Sequence, residues 1–245
     1  METWAGLTLS VLHWKSNRRT SEPLHCRTVV LLYCRTAVPS YYRTVKPRLG
    51  RRGMGHSAFR IPHSAIAATR RLPRGVLARA RRIRLLIVDV DGVLTDGRLV
   101  YGPDGEAQMV FHVQDGHGIK LAQESGLVVA IVSGRSSPML ARRAAELGVR
   151  EVHLKVQDKA AAFADLLARH GLTPEEVACM GDDLLDLPLL TRAGLALSVP
   201  NGVAEARAAA HYVTSRAGGQ GAVREAVEMI LKAQGQWPRI LEACR

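Results

Sequence analysis

The sequence predicts an α/β fold, a Rossmann-like parallel sheet with helices on both faces. From Arg84 onward, apolar runs of strand length alternate with amphipathic patterns of helix length, the order that a chain of βαβ units produces. Hydrophobic residues make up 47% of the 245 but aromatics only 4%, so the core must be built from Ala, Val, Leu and Ile, as in a parallel sheet covered by helices. Two of the apolar runs end in Asp- and Gly-rich clusters, as expected at the carboxyl edge of such a sheet.

The strands expected in order are Leu85 to Val90, Val128 to Val132, Glu151 to Leu154, Val177 to Met180, Leu195 to Val199 and a short Tyr212 to Val213. Helices are expected near Gly118 to Ser125, Pro138 to Leu147, Lys159 to His170, Leu184 to Ala193 and Val203 to Ala210, with a last one at Ala222 to Gln234. Thr173-Pro174-Glu175-Glu176 has the composition of a helix start: a cap, a proline in the first turn and two acidic residues. One stretch breaks the alternation. Arg98 to Tyr101 and Gln108 to Val113 flank the turn-forming Gly102-Pro103-Asp104-Gly105, which predicts a β-hairpin directly after the first strand.

Charge divides the chain. Residues 1 to 82 hold 17 Lys and Arg against 2 acidic residues, whereas residues 83 to 245 hold 17 against 20. The net charge of +12 therefore reports on the N-terminal third, and the slightly acidic remainder is not expected to bind nucleic acid. Residues 1 to 53 show no sustained period. Residues 1 to 82 read as a basic extension, either disordered or translated from upstream of a true start at Met54, with a short basic helix at Leu72 to Arg82 leading into a domain over 83 to 236 and a tail over 237 to 245. Cys26, Cys34, Cys179 and Cys244 form no CxxC pair and no metal-ligand spacing with histidine, which fits a reducing compartment. With no apolar run approaching the roughly 18 residues of a membrane span, a cytoplasmic protein without a membrane partner is expected.

The first strand runs into Asp89-Val90-Asp91-Gly92-Val93-Leu94-Thr95-Asp96-Gly97. Two carboxylates at the end of an apolar strand are costly unless charge comes to meet them, and a metal cation is the simplest answer. Gly181-Asp182-Asp183-Leu184-Leu185-Asp186 follows another apolar strand, and a parallel sheet would bring both clusters to one edge, offering the hard oxygen ligands that Mg²⁺ takes. Ser133-Gly134-Arg135 and Lys159 stand between them as a hydroxyl, backbone N–H groups and a cation suited to a phosphate. Each piece alone is ordinary: a turn, a helix cap, a solvated lysine. Four of them in this order, each after the right strand, are not.

That order, DxD, Ser, Lys and GDD across residues 83 to 236, resembles the haloacid dehalogenase superfamily of aspartyl-phosphate phosphatases. More narrowly, Asp89 to Gly97, Asp115 to Gly118, Gly181 to Pro188 and Ala217 to Glu225 resemble the branch of 3-deoxy-D-manno-octulosonate 8-phosphate phosphatases of lipopolysaccharide synthesis. The resemblance implies that Asp89 is the nucleophile and that Asp91 protonates the leaving oxygen and then activates water. It implies Mg²⁺ held by Asp89, the Asp91 carbonyl and Asp182, with Asp183 and Asp186 supporting that site and Asp183 an alternative direct ligand. Ser133, Gly134 and Lys159 would hold the phosphoryl group. Arg135 and Arg224 are the candidates to meet the carboxylate of a small sugar-acid phosphate. Without an insertion large enough for a cap domain, the chain resembles the capless members, which implies a homotetramer in which the hairpin and the glycine-rich Ala217 to Glu225 close a neighbour's site.

Three alternatives remain open at this point: a nine-carbon keto-acid phosphate as substrate, a non-catalytic oligomerisation module of the same fold, and a basic leader acting as a mitochondrial-type presequence or nucleic-acid arm.

Overall fold

The computed structural model describes residues 72 to 244. The expected start at Met54 and the reading of residues 1 to 71 lie outside the described residues. Six parallel strands form the sheet: β1 (Leu85–Val88), β4 (Val128–Val132), β5 (Glu151–His153), β6 (Val177–Met180), β7 (Leu195–Ser198) and β8 (Tyr212–Val213). Their spatial order is β5-β4-β1-β6-β7-β8. From β1 the chain builds outward through β4 and β5, then crosses to the other side for β6, β7 and β8. The crossing makes the carboxyl end of β1 the topological switch point, where open α/β sheets bind ligands. Register brings the loops together there: Val88 lies beside Ile131 of β4 and Met180 of β6.

Side-chain alternation sorts the core into two layers. Leu86 and Val88 point to the face covered by α1 (Arg74–Ala80), α2 (Val113–Glu124), α3 (Pro138–Leu147) and α7 (Ala222–Ala233). Leu85 and Ile87 point to the face covered by α4 (Lys159–His170), α5 (Leu187–Leu190) and α6 (Ala204–Ala209). Every residue of β1 is buried, because strands covered on both faces are apolar throughout.

Four local expectations are revised. The hairpin is tighter than expected, with β2 (Val100–Gly102) and β3 (Gly105–Gln108) pairing Gly102 with Gly105 around Pro103-Asp104, so two residues read as turn belong to the ladder. Helix α2 starts at Val113, ahead of the expected Gly118. Gly116 and Gly118 argue against a helix by propensity, but a Cβ at Gly116 would overlap the Arg143 guanidinium and one at Gly118 would press on Arg224 at 3.1 Å, and tertiary packing overrides propensity. Thr173 to Glu176 forms a single 3₁₀ turn that gives way at once to β6. Leu184 to Ala193 is broken into a 3₁₀ turn at Leu184–Asp186 followed by the short α5.

Packing also extends past the expected domain limits of 83 and 236. Val76 and Ala80 of α1 are in the core, and the Arg79 guanidinium donates to the Gly194 carbonyl at 2.7 Å. At the other end α8 (Trp237–Ala243) lays Trp237 and Ile240 against the same core. Gln234 joins the two ends, donating to the Ile83 carbonyl at 2.7 Å. Among the described residues no helix is long and apolar enough to cross a membrane.

Candidate active site

Asp89 leaves the end of β1 with its N–H still donating to Met180 at 3.0 Å, so the sheet fixes its backbone. The chain then coils through Val90–Leu94, a turn interrupted at Asp91 and Gly92. Gly92 has φ +89°, and a Cβ there would overlap the Asp182 carboxylate. Only glycine lets the loops after β1 and β6 approach so closely.

At this junction Asp89, Asp182 and Asp186 each offer an oxygen, and the three oxygens lie within 4.8 Å of one another. The Lys159 Nζ, buried at the start of α4, donates to Asp89 Oδ1 at 2.8 Å and to Asp186 Oδ1 at 2.6 Å. Burial opposes the charge on Lys159, but Asp89 and Asp186 outweigh it and raise its pKa. Asp186 Oδ2 accepts the backbone N–H groups of Asp182 and Asp183 at 2.9 and 3.2 Å. Both Asp186 oxygens thus have protein donors.

Asp182 differs. Its Oδ1 is buried without a hydrogen-bond partner, and burial, with Asp186 and Asp183 adding to it, pushes its carboxyl up to about 7. Burial likewise, with Asp186, pushes Asp89 up to about 7 against the pull of Lys159. Two carboxyls that resist ionisation, one with an orphaned oxygen, form a donor set suited to a divalent cation, which would supply the missing positive charge. Asp183 stands outside the cluster, exposed, capping the next turn through Leu184 N–H at 2.7 Å.

Ser133 directly follows β4. It is 1% exposed, and its Oγ accepts the Arg135 N–H at 3.1 Å. The Ser133 N–H is spent on the His153 carbonyl. The hydroxyl proton and the neighbouring Gly134 N–H have no acceptor among the described residues. The Arg135 side chain spans two carboxylates, 3.3 Å from Asp91 Oδ1 and 2.6 Å from Glu106 Oε1 on β3. Burial raises the pKa of Asp91, and the Arg135 charge opposes the rise.

The structure does not bring Arg224 into this set. Its guanidinium binds Glu228 at 2.7 Å, approaches His117 at 3.2 Å and lies over the Trp237 ring. The i,i+4 spacing to Glu228 was the readable signal for that structural pairing. Asp115, of the Asp115 to Gly118 signature, is 1% exposed and accepts the Gly221 and Arg224 N–H groups, so it caps α7.

The glycine-rich tail packs within its own chain. A Cβ on Gly218 would overlap the Gly92 carbonyl oxygen, and the Gly219 N–H donates to the Val93 carbonyl at 2.9 Å. Gly218 and Gly219 admit the backbone of the loop that follows Asp89. Asn201, which sequence reasoning missed, joins the two segments: its amide donates to Gly92 O at 2.9 Å and accepts from Gly218 N at 2.8 Å. Pro200-Asn201-Gly202 reads only as a turn. Glu106 was missed as well, one polar residue in a hairpin.

Fold and site together define a capless haloacid dehalogenase-like hydrolase. The profile of that hydrolase family matches residues 149–226. The 3-deoxy-D-manno-octulosonate 8-phosphate phosphatase of Escherichia coli K12 is 44% identical over 161 residues, 66% of this chain and 86% of that protein. The Moraxella catarrhalis phosphatase of the same name, solved with magnesium, phosphate and the sugar acid, superposes with a TM-score of 0.68 at 40% identity, covering 69% of this chain and 98% of that one. A cobalt-bound form from Haemophilus influenzae gives a TM-score of 0.63 at 44% identity, over 64% and 92%. The chain belongs to the family of 3-deoxy-D-manno-octulosonate 8-phosphate phosphatases.

Proposed function

We propose that the chain is a Mg²⁺-dependent phosphatase that hydrolyses 3-deoxy-D-manno-octulosonate 8-phosphate to the free sugar acid and phosphate, in lipopolysaccharide precursor synthesis. The observation that carries this reading is the buried junction of Asp89, Asp182 and Asp186 around Lys159, in a chain 44% identical over 161 residues to a phosphatase of that name.

Asp89 is the nucleophile. Lys159 holds Oδ1 and leaves Oδ2 for attack on phosphorus. As the Asp89–phosphorus bond forms and the bond to the sugar oxygen breaks, Asp91 gives that oxygen a proton. Asp91 then takes a proton from water, which attacks the aspartyl-phosphate and frees phosphate and Asp89. Lys159, the Ser133 hydroxyl and the Gly134 N–H hold the phosphoryl oxygens. Asp89, the Asp91 carbonyl and Asp182 hold Mg²⁺, which when bound offsets charge on the transferring group. Asp186 orients Lys159 and the 182–183 backbone, and Asp183 acts as a turn cap instead of a ligand. Arg135 meets the substrate carboxylate; Arg224 braces α7 within its own chain.

We also infer a cytoplasmic homotetramer. Leu99, Val100 and Tyr101 expose a row of apolar side chains on and beside the hairpin, a surface that assembly would cover. Light scattering tests the oligomer. Turnover of 3-deoxy-D-manno-octulosonate 8-phosphate, a nine-carbon keto-acid phosphate and an aryl phosphate, with Mg²⁺ and with chelator, tests the activity. Equal turnover of all three would defeat the substrate assignment, and undiminished turnover in chelator would defeat the metal.

A further inference from the structure

Glu106 has no part in the chemistry above, yet it ties the hairpin to the site. Its carboxylate takes Arg135 Nη2, from the segment after β4, at 2.6 Å, and the nearby Ser137 hydroxyl and Arg135 hold its pKa below the usual value. Ser137 is itself fixed, because it caps α3 by accepting the Met139 N–H. Arg135 is therefore stretched between a carboxylate of the hairpin and one of the nucleophile loop, and its contact with Asp91 uses Oδ1 alone. The Glu106 side chain is 15% exposed and that of Arg135 37%, which places the pair at the rim with the guanidinium open to an incoming ligand.

We propose that Glu106 is a positioning residue that sets substrate selectivity: it holds the Arg135 guanidinium at the rim beside Asp91, so that the carboxylate of a sugar-acid phosphate meets an oriented cation. The inference rests on the reading that Arg135 meets that carboxylate. An arginine stem has many rotamers, and a charge-assisted bond to Glu106 removes most of them before substrate arrives. The guanidinium meets Asp91 through Oδ1 alone, which leaves Oδ2 for the leaving oxygen.

The test uses the full-length, Mg²⁺-loaded enzyme with 3-deoxy-D-manno-octulosonate 8-phosphate and with p-nitrophenyl phosphate, which has no carboxylate group. Glu106→Gln is expected to raise KM for the sugar-acid phosphate about tenfold with a smaller change in kcat, the pattern of lost binding. Its loss in kcat/KM should exceed the loss on the aryl phosphate by about fivefold or more. Glu106→Asp keeps the charge at shorter reach and should recover part of the difference. In an Arg135→Ala background, Glu106→Gln should add no further loss, because the two act through one interaction. Equal losses on both substrates, or a full additional loss in that background, would overturn the proposal. A wild-type enzyme with no preference for the sugar-acid phosphate would sink the substrate reading and this inference together. A wild-type preference that survives Glu106→Gln would sink this inference alone.

Discussion

The floor of the site and its rim are built on different terms. In the floor it is backbone groups that are held: the Asp89 N–H by the Met180 carbonyl, the 182–183 N–H groups by the Asp186 carboxylate, the Gly92 carbonyl by the Asn201 amide, and the Val93 carbonyl by the tail. The rim is fixed by side chains: Arg135 reaches to Glu106, and Leu99, Val100 and Tyr101 stand exposed on and beside the hairpin. A floor of this kind holds reacting atoms in place for any phosphate monoester. A rim of side chains is where a particular monoester is told from others.

The sharpest break between the two is expected at Asp89. Asp89→Asn replaces the nucleophile with an amide and should abolish phosphate release from sugar-acid and aryl substrates alike, with or without Mg²⁺; near-normal turnover by the folded variant would contradict the assignment. Asp91→Asn keeps the nucleophile and loses the proton donor, so turnover of the sugar-acid phosphate should fall about 10² to 10⁴-fold. The loss should be smaller for an aryl phosphate, whose leaving group needs little protonation.

Gly218→Ala tests the floor without touching a reacting group. The added Cβ has to displace the Gly92 carbonyl, at a cost of about 1–3 kcal/mol in stability by analogy with overpacked cores. Activity should drop on both substrates by similar factors. A selective loss on the sugar-acid phosphate would move the tail from the floor to the rim.

Metal and pH act on the floor together. In the metal-free protein burial lifts Asp89 and Asp182 to about 7 from an ordinary 3.8, so between those values the native state binds more protons than the unfolded chain. That contribution to stability is full at acid pH and is lost as pH rises to about 7. Mg²⁺ favours the ionised carboxylates, so the rise in Tm on adding Mg²⁺ should grow from pH 5 to pH 7.5. A constant rise would mean that these carboxylates do not take up the ion.

The smallest effect on the folded chain is expected at the rim. Tyr101→Ser alters a side chain on a residue 67% exposed and should change monomer stability by about 0.5 kcal/mol or less. It should weaken assembly, which sedimentation would show, and leave the metal dependence intact.

The four inner strands β1, β4, β6 and β7 were legible because a strand covered on both faces has to be apolar along its length, as Leu85 to Val88 is. The carboxylates at their ends were legible for the complementary reason, charge where apolar sequence stops. The start of α2 was not, because Gly116 and Gly118 carry a propensity penalty that only the distant Arg143 and Arg224 explain. Asn201 and Glu106 were illegible for the same kind of reason. Their partners, Gly92 and Arg135, lie 109 and 29 residues away, and local pattern carries no mark of such pairings. The glycines of the tail were noticed, and their need for close approach inferred, but the sequence does not name what approaches them.

The cap that Asp115 places on α7 has a bearing on how the enzyme comes into being. It joins groups 109 residues apart, and the same C-terminal segment supplies the support under Val93. Closing a pairing so distant in sequence costs chain entropy, and it needs both ends of the domain to be present. A ribosome that has delivered Asp89, Lys159 and Asp182 has therefore not yet delivered the contacts that support their loops. That support arrives with the segment that enters α7, and a chain cut short before it would carry Asp89, Asp91, Lys159 and Asp182 and still lack the ground they stand on.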